Sequence, residues 1–248
     1  MASGRPLPHL GISEQDLVQS GQISKTGTLR QPYQAYLVSE YPRVQHRGPL
    51  VWGGGNPDTA QVVMIGEAPG EDENKFLVPF VGPAGQVLSD VLYTAGISRK
   101  EEVLIINTET TAPARDPSGR IGKPSASDVR LELGRVLEIL HKMKERPQGL
   151  KAIVCMGKYS YLQLMGTSLV DECLLKGSSF EGLVTKTKMG PIMGWHDDPI
   201  KLGVPVLVAY HPSYILRQKS GPAGSWEDEA NEYLIAFQSL SRRIHGGR

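Results

Sequence analysis

Glu67, Asn107 and His211 each follow a short apolar run, and a carboxylate, a side-chain amide and an imidazole are a set capable of acid–base chemistry on a polar substrate. Glu67 comes after Val62–Gly66 in VVMIGEAPG, Asn107 ends Val103–Ile106, and His211 follows Val206–Ala209 and Tyr210 at the head of HPSYILR. A carboxylate can position or deprotonate water. An imidazole N–H can donate to an oxygen that gains charge, and an amide offers a donor and an acceptor to a planar polar edge. Phe80, beyond the turn marked by Pro69 and Gly70, adds a flat face for stacking. Each residue also has a plainer reading. Glu67 suits a solvated turn, Asn107 a helix cap, His211-Pro212 a turn, Phe80 the core and Arg217 a solvated charge. Their shared placement after three apolar runs is what favours a common site.

Such a site requires strands that end on one edge. The sequence predicts strands near 62–66, 103–107, 152–156 and 205–209, alternating with helices near 84–95, 125–145, 158–165 and 225–243. That alternation implies an α/β fold: a three-layer αβα sandwich around a central four-stranded parallel sheet, with ligands expected outside the carboxyl ends of the strands. Ser125 with Asp128, and Ser225 with Asp228, read as helix caps, and Gly96 as the end of the helix that carries Val87, Leu88, Val91 and Leu92. Residues 1–57 differ in texture, with short helices expected at 13–19 and 31–41 and a GGGNP turn at 53–57. We read 1–248 as a single domain, with 1–57 an N-terminal elaboration on an α/β core at 58–248.

Composition is that of an ordinary globular protein, with 27 basic and 26 acidic side chains among 248 residues and a net charge of +1. Affinity for a polyanion must therefore come from local clusters, the candidates being Arg115, Arg120, Lys123 and Arg130, and Arg217 with Lys219. No apolar run has membrane-spanning length and no signal-peptide pattern is visible, so the expectations are no membrane partner, a cytoplasmic location and a monomer. Cys155 and Cys173 lack metal or redox spacing. Trp195-His196-Asp197-Asp198 reads as an exposed loop rather than a metal site, so no metal and no cofactor are expected.

The stretches GNPDTAQVVMIGEAPGED, PFVGPAGQVL, the Asn107 strand end and HPSYILR, in this order over roughly residues 53–240, resemble the uracil-DNA glycosylase superfamily, and its family 4 branch most of all. The resemblance implies base flipping and hydrolysis of an N-glycosidic bond in DNA. That reaction leaves positive charge on the sugar and negative charge on the departing pyrimidine. It implies catalytic roles for Glu67, Asn107 and His211, and base contacts from Gly66, Ala68, Phe80 and Asp116. Ser213 and Arg217 then bind the DNA backbone, while Tyr214, Ile215 or Leu216 fills the gap left by the flipped nucleotide.

The chain departs from that family in two places. Family 4 members carry four cysteines on an iron–sulfur cluster, whereas the matching positions here are Thr111 and a place near Glu132, and the segment before Gly53 has no cysteine. The strip Asn107-Thr108-Glu109-Thr110-Thr111-Ala112-Pro113-Ala114 replaces the usual Asn-x-x-Lys-Cys-Arg-Pro-Pro, and Asp116 replaces a second asparagine. Acceptors alone suit an amino group better than a uracil edge. The expected activity is thus a monofunctional DNA glycosylase acting on a pyrimidine, uracil by family default and leaving an abasic site in DNA repair. One alternative is a glycosylase for hydroxymethylated or glucosylated cytosine in phage DNA, serving antiviral defence. A second is an inactive DNA-binding or inhibitor module.

Overall fold

The computed structural model describes residues 15, 18, 23–165, 193–219 and 226–246; the Ser225 cap, Cys173 and most of the expected helix at 13–19 lie outside them. A six-stranded sheet organises the described residues, in the order β1-β3-β2-β4-β6-β5. Its strands are β1 (Gly54–Gly55), β2 (Val62–Gly66), β3 (Val103–Asn107), β4 (Ala152–Met156), β5 (Gly194–His196) and β6 (Val206–Ala209). β2, β3, β4 and β6 run parallel, and β1 and β5 pair antiparallel on the two edges. The four-stranded parallel core matches expectation. The two edge strands do not follow from the sequence: Gly54–Gly55 read as turn, and Trp195-His196 forms β5 instead of an exposed loop.

Every residue of the four central strands is buried, which explains their continuous apolar runs. Alternate side chains serve opposite layers. Val63, Ile65, Leu104, Ile106, Ile153 and Val208 face Val136, Ile139 and Leu140 of the helix Ala126–Glu145. Val62, Met64, Ile105, Val154 and Leu207 face Leu88 and Leu92 of the helix Pro83–Thr94, and Tyr233, Phe237 and Leu240 of the helix Trp226–His245. Helices on both faces complete the three layers.

In chain order the described helices are α1 (Arg30–Ser39), α2 (Tyr41–Val44), α3 (Glu71–Phe76), α4 (Pro83–Thr94), α5 (Ala126–Glu145), α6 (Lys158–Met165), α7 (Pro212–Lys219) and α8 (Trp226–His245), alongside one 3-10 turn at Gln45–Arg47. Ser125 caps α5 as expected, its Oγ accepting from the Asp128 amide at 3.2 Å. Gly96 closes α4 at φ +71°, a left-handed turn in which the Ile97 amide reaches back to the Leu92 carbonyl at 2.9 Å. The described part of the N-terminal segment is more than an outer addition. Leu29, Tyr33, Tyr36, Tyr41 and Trp52 share one apolar cluster with β2, β3 and α5. The edge of Tyr33 meets Trp52 at 5.0 Å between ring centroids.

Phe237 is fully buried between α8 and the sheet, with Tyr233 4.8 Å away. Phe237→Ala should lower the unfolding free energy by about 3–5 kcal/mol through lost transfer energy and the cavity left behind, read from denaturant midpoints.

Candidate active site

In the parallel part of the sheet β3 lies on one side of β2, and β4 and β6 lie on the other. The order therefore reverses between β2 and β4, and a crevice at the carboxyl edge is the usual consequence. Gly66 and Glu67 lie at the end of β2, Asn107 at the end of β3, Gly157 just past β4, and His211 two residues past β6. Four strand termini thus supply the same rim.

Gly66, Phe80 and Asn107 converge closely. A Cβ on Gly66 would overlap both Asn107 Oδ1 and the edge of the Phe80 ring, so only glycine lets the amide and the ring approach there. Asn107 is 2% exposed, and its Oδ1 has no hydrogen-bond partner among the described residues. A buried acceptor without a donor costs about 1–3 kcal/mol, which a ligand donor at this point would recover. Phe80 is also buried and lies 5.4 Å from the His211 ring, centroid to centroid.

Phe80 holds a left-handed backbone conformation at φ +55°, which a bulky side chain rarely adopts. Arg99 secures it. One guanidinium nitrogen donates to the Phe80 carbonyl at 2.7 Å and to the Pro79 carbonyl at 3.2 Å, while the other reaches the Gly85 carbonyl and Ser89 Oγ. Glu73 closes the same loop from the other side, accepting from the amides of Gly70, Val81 and Gly82. Neither Arg99 nor Glu73 carried a motif that sequence reasoning singles out.

The environment of His211 defines its proton. Nδ1 accepts from the Ser213 amide at 3.2 Å and lies 2.8 Å from Ser213 Oγ, which in turn accepts from Arg217 at 3.1 Å. With Nδ1 occupied as an acceptor, the neutral ring carries its proton on Nε2. Loss of water around the ring, with the positive charge of Arg217 adding, pushes the imidazole pKa down to about 4. The ring is therefore a neutral donor at physiological pH. Gly157, at φ +93°, gives His211 its place, since a Cβ there would sit 2.9 Å from the His211 Cβ.

Glu67 is half-buried on the loop between β2 and α3, and its carbonyl accepts from the Thr108 hydroxyl, tying the ends of β2 and β3 together. Two residues past Asn107, the carboxyl of Glu109 is fully buried. Burial first, then the charge of Glu132, with Asp128 and Glu67 adding, holds it well above the usual carboxylate range against the opposing pull of Arg47.

Several expected site residues do other work. Asp116 organises a turn: its Oδ1 accepts from the amides of Ser118 and Arg120 and from Ser118 Oγ. Ile215 faces inward from α7 and is 7% exposed within the cluster that holds Leu88 and Phe237, which removes it as a wedge into DNA. Tyr214 stacks on Tyr210 at 4.8 Å, and Leu216 is half-buried. Ser213 and Arg217 are joined to His211, and Arg115 pairs with Glu71 at 2.5 Å. Ala68 is half-buried on the loop after Gly66. Phe76 and Val81, at 58% and 42%, are exposed apolar side chains on the segment leading to and from Phe80.

Because the folded pKa of His211 lies below the ordinary 6.5, the unfolded chain binds more protons between these values. The stability His211 contributes is complete above about pH 6.5 and is lost as pH falls towards 4. Nitrogen-resolved NMR should show a neutral ring protonated on Nε2 at pH 6, and Arg217→Gln should raise its titration point.

Residues 52–235 match the profile of the Uracil DNA glycosylase superfamily. The type-4 uracil-DNA glycosylase of Thermotoga maritima is 32% identical over 177 residues, covering 71% of this chain and 76% of that protein. The type-4 enzyme of Archaeoglobus fulgidus is 30% identical over 168 residues, covering 66% of this chain and 70% of that protein. That of Sulfurisphaera tokodaii is 39% identical over 139 residues, covering 55% and 58% respectively. With about three quarters of its length inside the family profile, its parallel sheet and its strand-end residues in the expected order, the chain belongs to the uracil-DNA glycosylase superfamily.

Proposed function

We propose that this DNA glycosylase binds a pyrimidine extruded from DNA between Phe80, Asn107 and His211 and hydrolyses its bond to deoxyribose, with uracil the first substrate to test. The observation that carries this reading is the buried Asn107 Oδ1, which lies beside the Phe80 ring and has no donor among the described residues. A pyrimidine imide N–H is such a donor, and the ring offers its stacking face.

The proposed roles divide as follows. As the glycosidic bond breaks, electrons move onto the base and a pyrimidine carbonyl oxygen gains negative charge. The Nε2 proton of neutral His211 stabilises that oxygen by hydrogen bonding without full transfer, because little reorganisation is needed in a prearranged site. Glu67 orients water towards the anomeric carbon and offsets the oxocarbenium charge. Hydrolysis places the water hydroxyl on the sugar and the remaining proton on the base. The abasic site keeps both phosphodiester bonds.

A second reading keeps the chemistry and enlarges the base. A cavity of about 360 Å³ lies along the loop that leaves Asn107, lined by Ala112–Arg115, Ile121, His46, Arg47 and Asn74. Asn74 Oδ1 is buried there with no hydrogen-bond partner among the described residues. A hydroxyl on a base substituent would supply a donor, as in hydroxymethylated or glucosylated cytosine.

Release of free base from uracil oligonucleotides and from DNA carrying each modified cytosine separates the two readings. Product from uracil alone removes the second, and product from the modified DNA alone removes uracil as substrate. On whichever DNA is cleaved, Asn107→Ala should slow single-turnover release by about a hundredfold while duplex affinity changes little. An unchanged rate would remove Asn107 from base recognition.

A further inference from the structure

Beyond the strand ends, the described residues bury two acids and two guanidinium groups next to Asn107. Glu132 on α5 is fully buried, and its two oxygens accept from the Thr110 amide at 3.0 and 2.8 Å, from Thr110 Oγ1 at 3.2 Å and from Arg135 Nε at 3.0 Å. Arg135, 5% exposed, uses Nη2 to donate to the backbone carbonyl of Asn107 at 2.6 Å. Its guanidinium lies 5.8 Å from the Tyr36 ring centre and 5.4 Å from that of Trp52. The Tyr36 hydroxyl meets Thr110 Oγ1 at 2.5 Å. Arg47 joins Glu109 at 3.1 Å and Asp128 at 2.9 Å. Burial holds the Glu132 pKa above the usual carboxylate value, with Arg135 and the Thr110 and Tyr36 donors pulling against it, so its charge depends on keeping those partners.

Thr111 and a place near Glu132 are where the family 4 resemblance implies cysteines on an iron–sulfur cluster. The donors present do not fit one. Both oxygens of Glu132 are engaged with Thr110 and Arg135, Thr111 offers a hydroxyl, and Cys155 is buried within β4.

We infer that Glu132 and Arg135, with Tyr36 and Trp52 from the N-terminal segment, are positioning residues that hold Asn107 and the Thr108–Thr110 backbone in the geometry needed to read the base. A buried ion pair is a costly way to gain stability alone, since an apolar pair of similar size often does as well. What an apolar pair cannot do is donate to the Asn107 carbonyl. Arg135 joins three things at once: the acid on α5, the end of β3, and the rings that arrive from the N-terminal segment. Asn107 Oδ1 has no hydrogen-bond partner among the described residues, so its aim depends on how its backbone is held.

The inference rests on the glycosylase reading for its kinetic arm and is independent of it for the other. In the full-length chain, Arg135→Met strands Glu132 and should lower both thermal stability and single-turnover base release, the latter by about tenfold or more, with duplex affinity within about twofold of the parent. The paired variant Glu132→Gln/Arg135→Met leaves no buried charge alone, so it should recover much of the stability and not the rate. Recovery of both together would overturn the inference, because it would mark the pair as structural. Where Arg135→Met alone does not fold, the paired variant carries the comparison. Hydrogen exchange gives a readout free of substrate: the amides of Thr108–Thr110 should exchange faster in the paired variant while those of β4 do not change. Equal exchange in parent and variant would overturn the inference even if the parent released no base from any DNA, a result that would itself remove the glycosylase reading.

Discussion

Four parallel strands buried on both faces can offer polar groups to a ligand only at their ends, and this constraint shapes the rest of the molecule. Helices cover one face through Val136, Ile139 and Leu140 and the other through Leu92 and Phe237, so the amide, carboxylate and imidazole must emerge at the carboxyl edge. The reversal of strand order between β2 and β4 opens that edge. Side chains there need no support of their own from long loops. They inherit the rigidity of the ladder, and Gly66 and Gly157 remove the two Cβ atoms that would keep them apart.

Three separate devices fix the groups once they leave the ladder. Arg99 and Glu73 hold the loop that presents Phe80 in a left-handed turn. A short relay from Arg217 through Ser213 to His211 Nδ1 decides which ring nitrogen carries the proton. Glu132 and Arg135 tie the Asn107 carbonyl to α5 and to the aromatic side chains of the N-terminal segment. In each, an ionic group acts on backbone or ring orientation, which suits a site whose reaction depends on prearranged dipoles rather than on flexible reach.

The strands were legible because burial on both faces leaves uninterrupted apolar runs, and β2, β3 and β4 fall at the expected residues. The edge strands were not. Gly54–Gly55 and Gly194–His196 pair through backbone atoms alone, and their side chains carry no alternating pattern. The placement of Glu67, Asn107 and His211 at strand ends was readable from their position after an apolar run. Two features were not legible: that Asp116 Oδ1 binds the amides of its own turn, and that the helical phase of α7 points Ile215 inward. The N-terminal segment looked peripheral because its aromatic residues have no strong period, yet Tyr33, Tyr36 and Trp52 lie in the core.

By itself the sequence determined the alternation of strands and helices and the order of the strand-end residues, since these depend on local pattern and on side-chain chemistry. Only the tertiary structure decided that Asn107 Oδ1 is buried without a donor among the described residues, that His211 is a neutral Nε2 donor, and that the buried Glu132 and Arg135 meet the end of β3. Those properties arise from water excluded at places where distant segments meet, and the free energy of a charge or dipole there is set by neighbours that sequence spacing does not reveal.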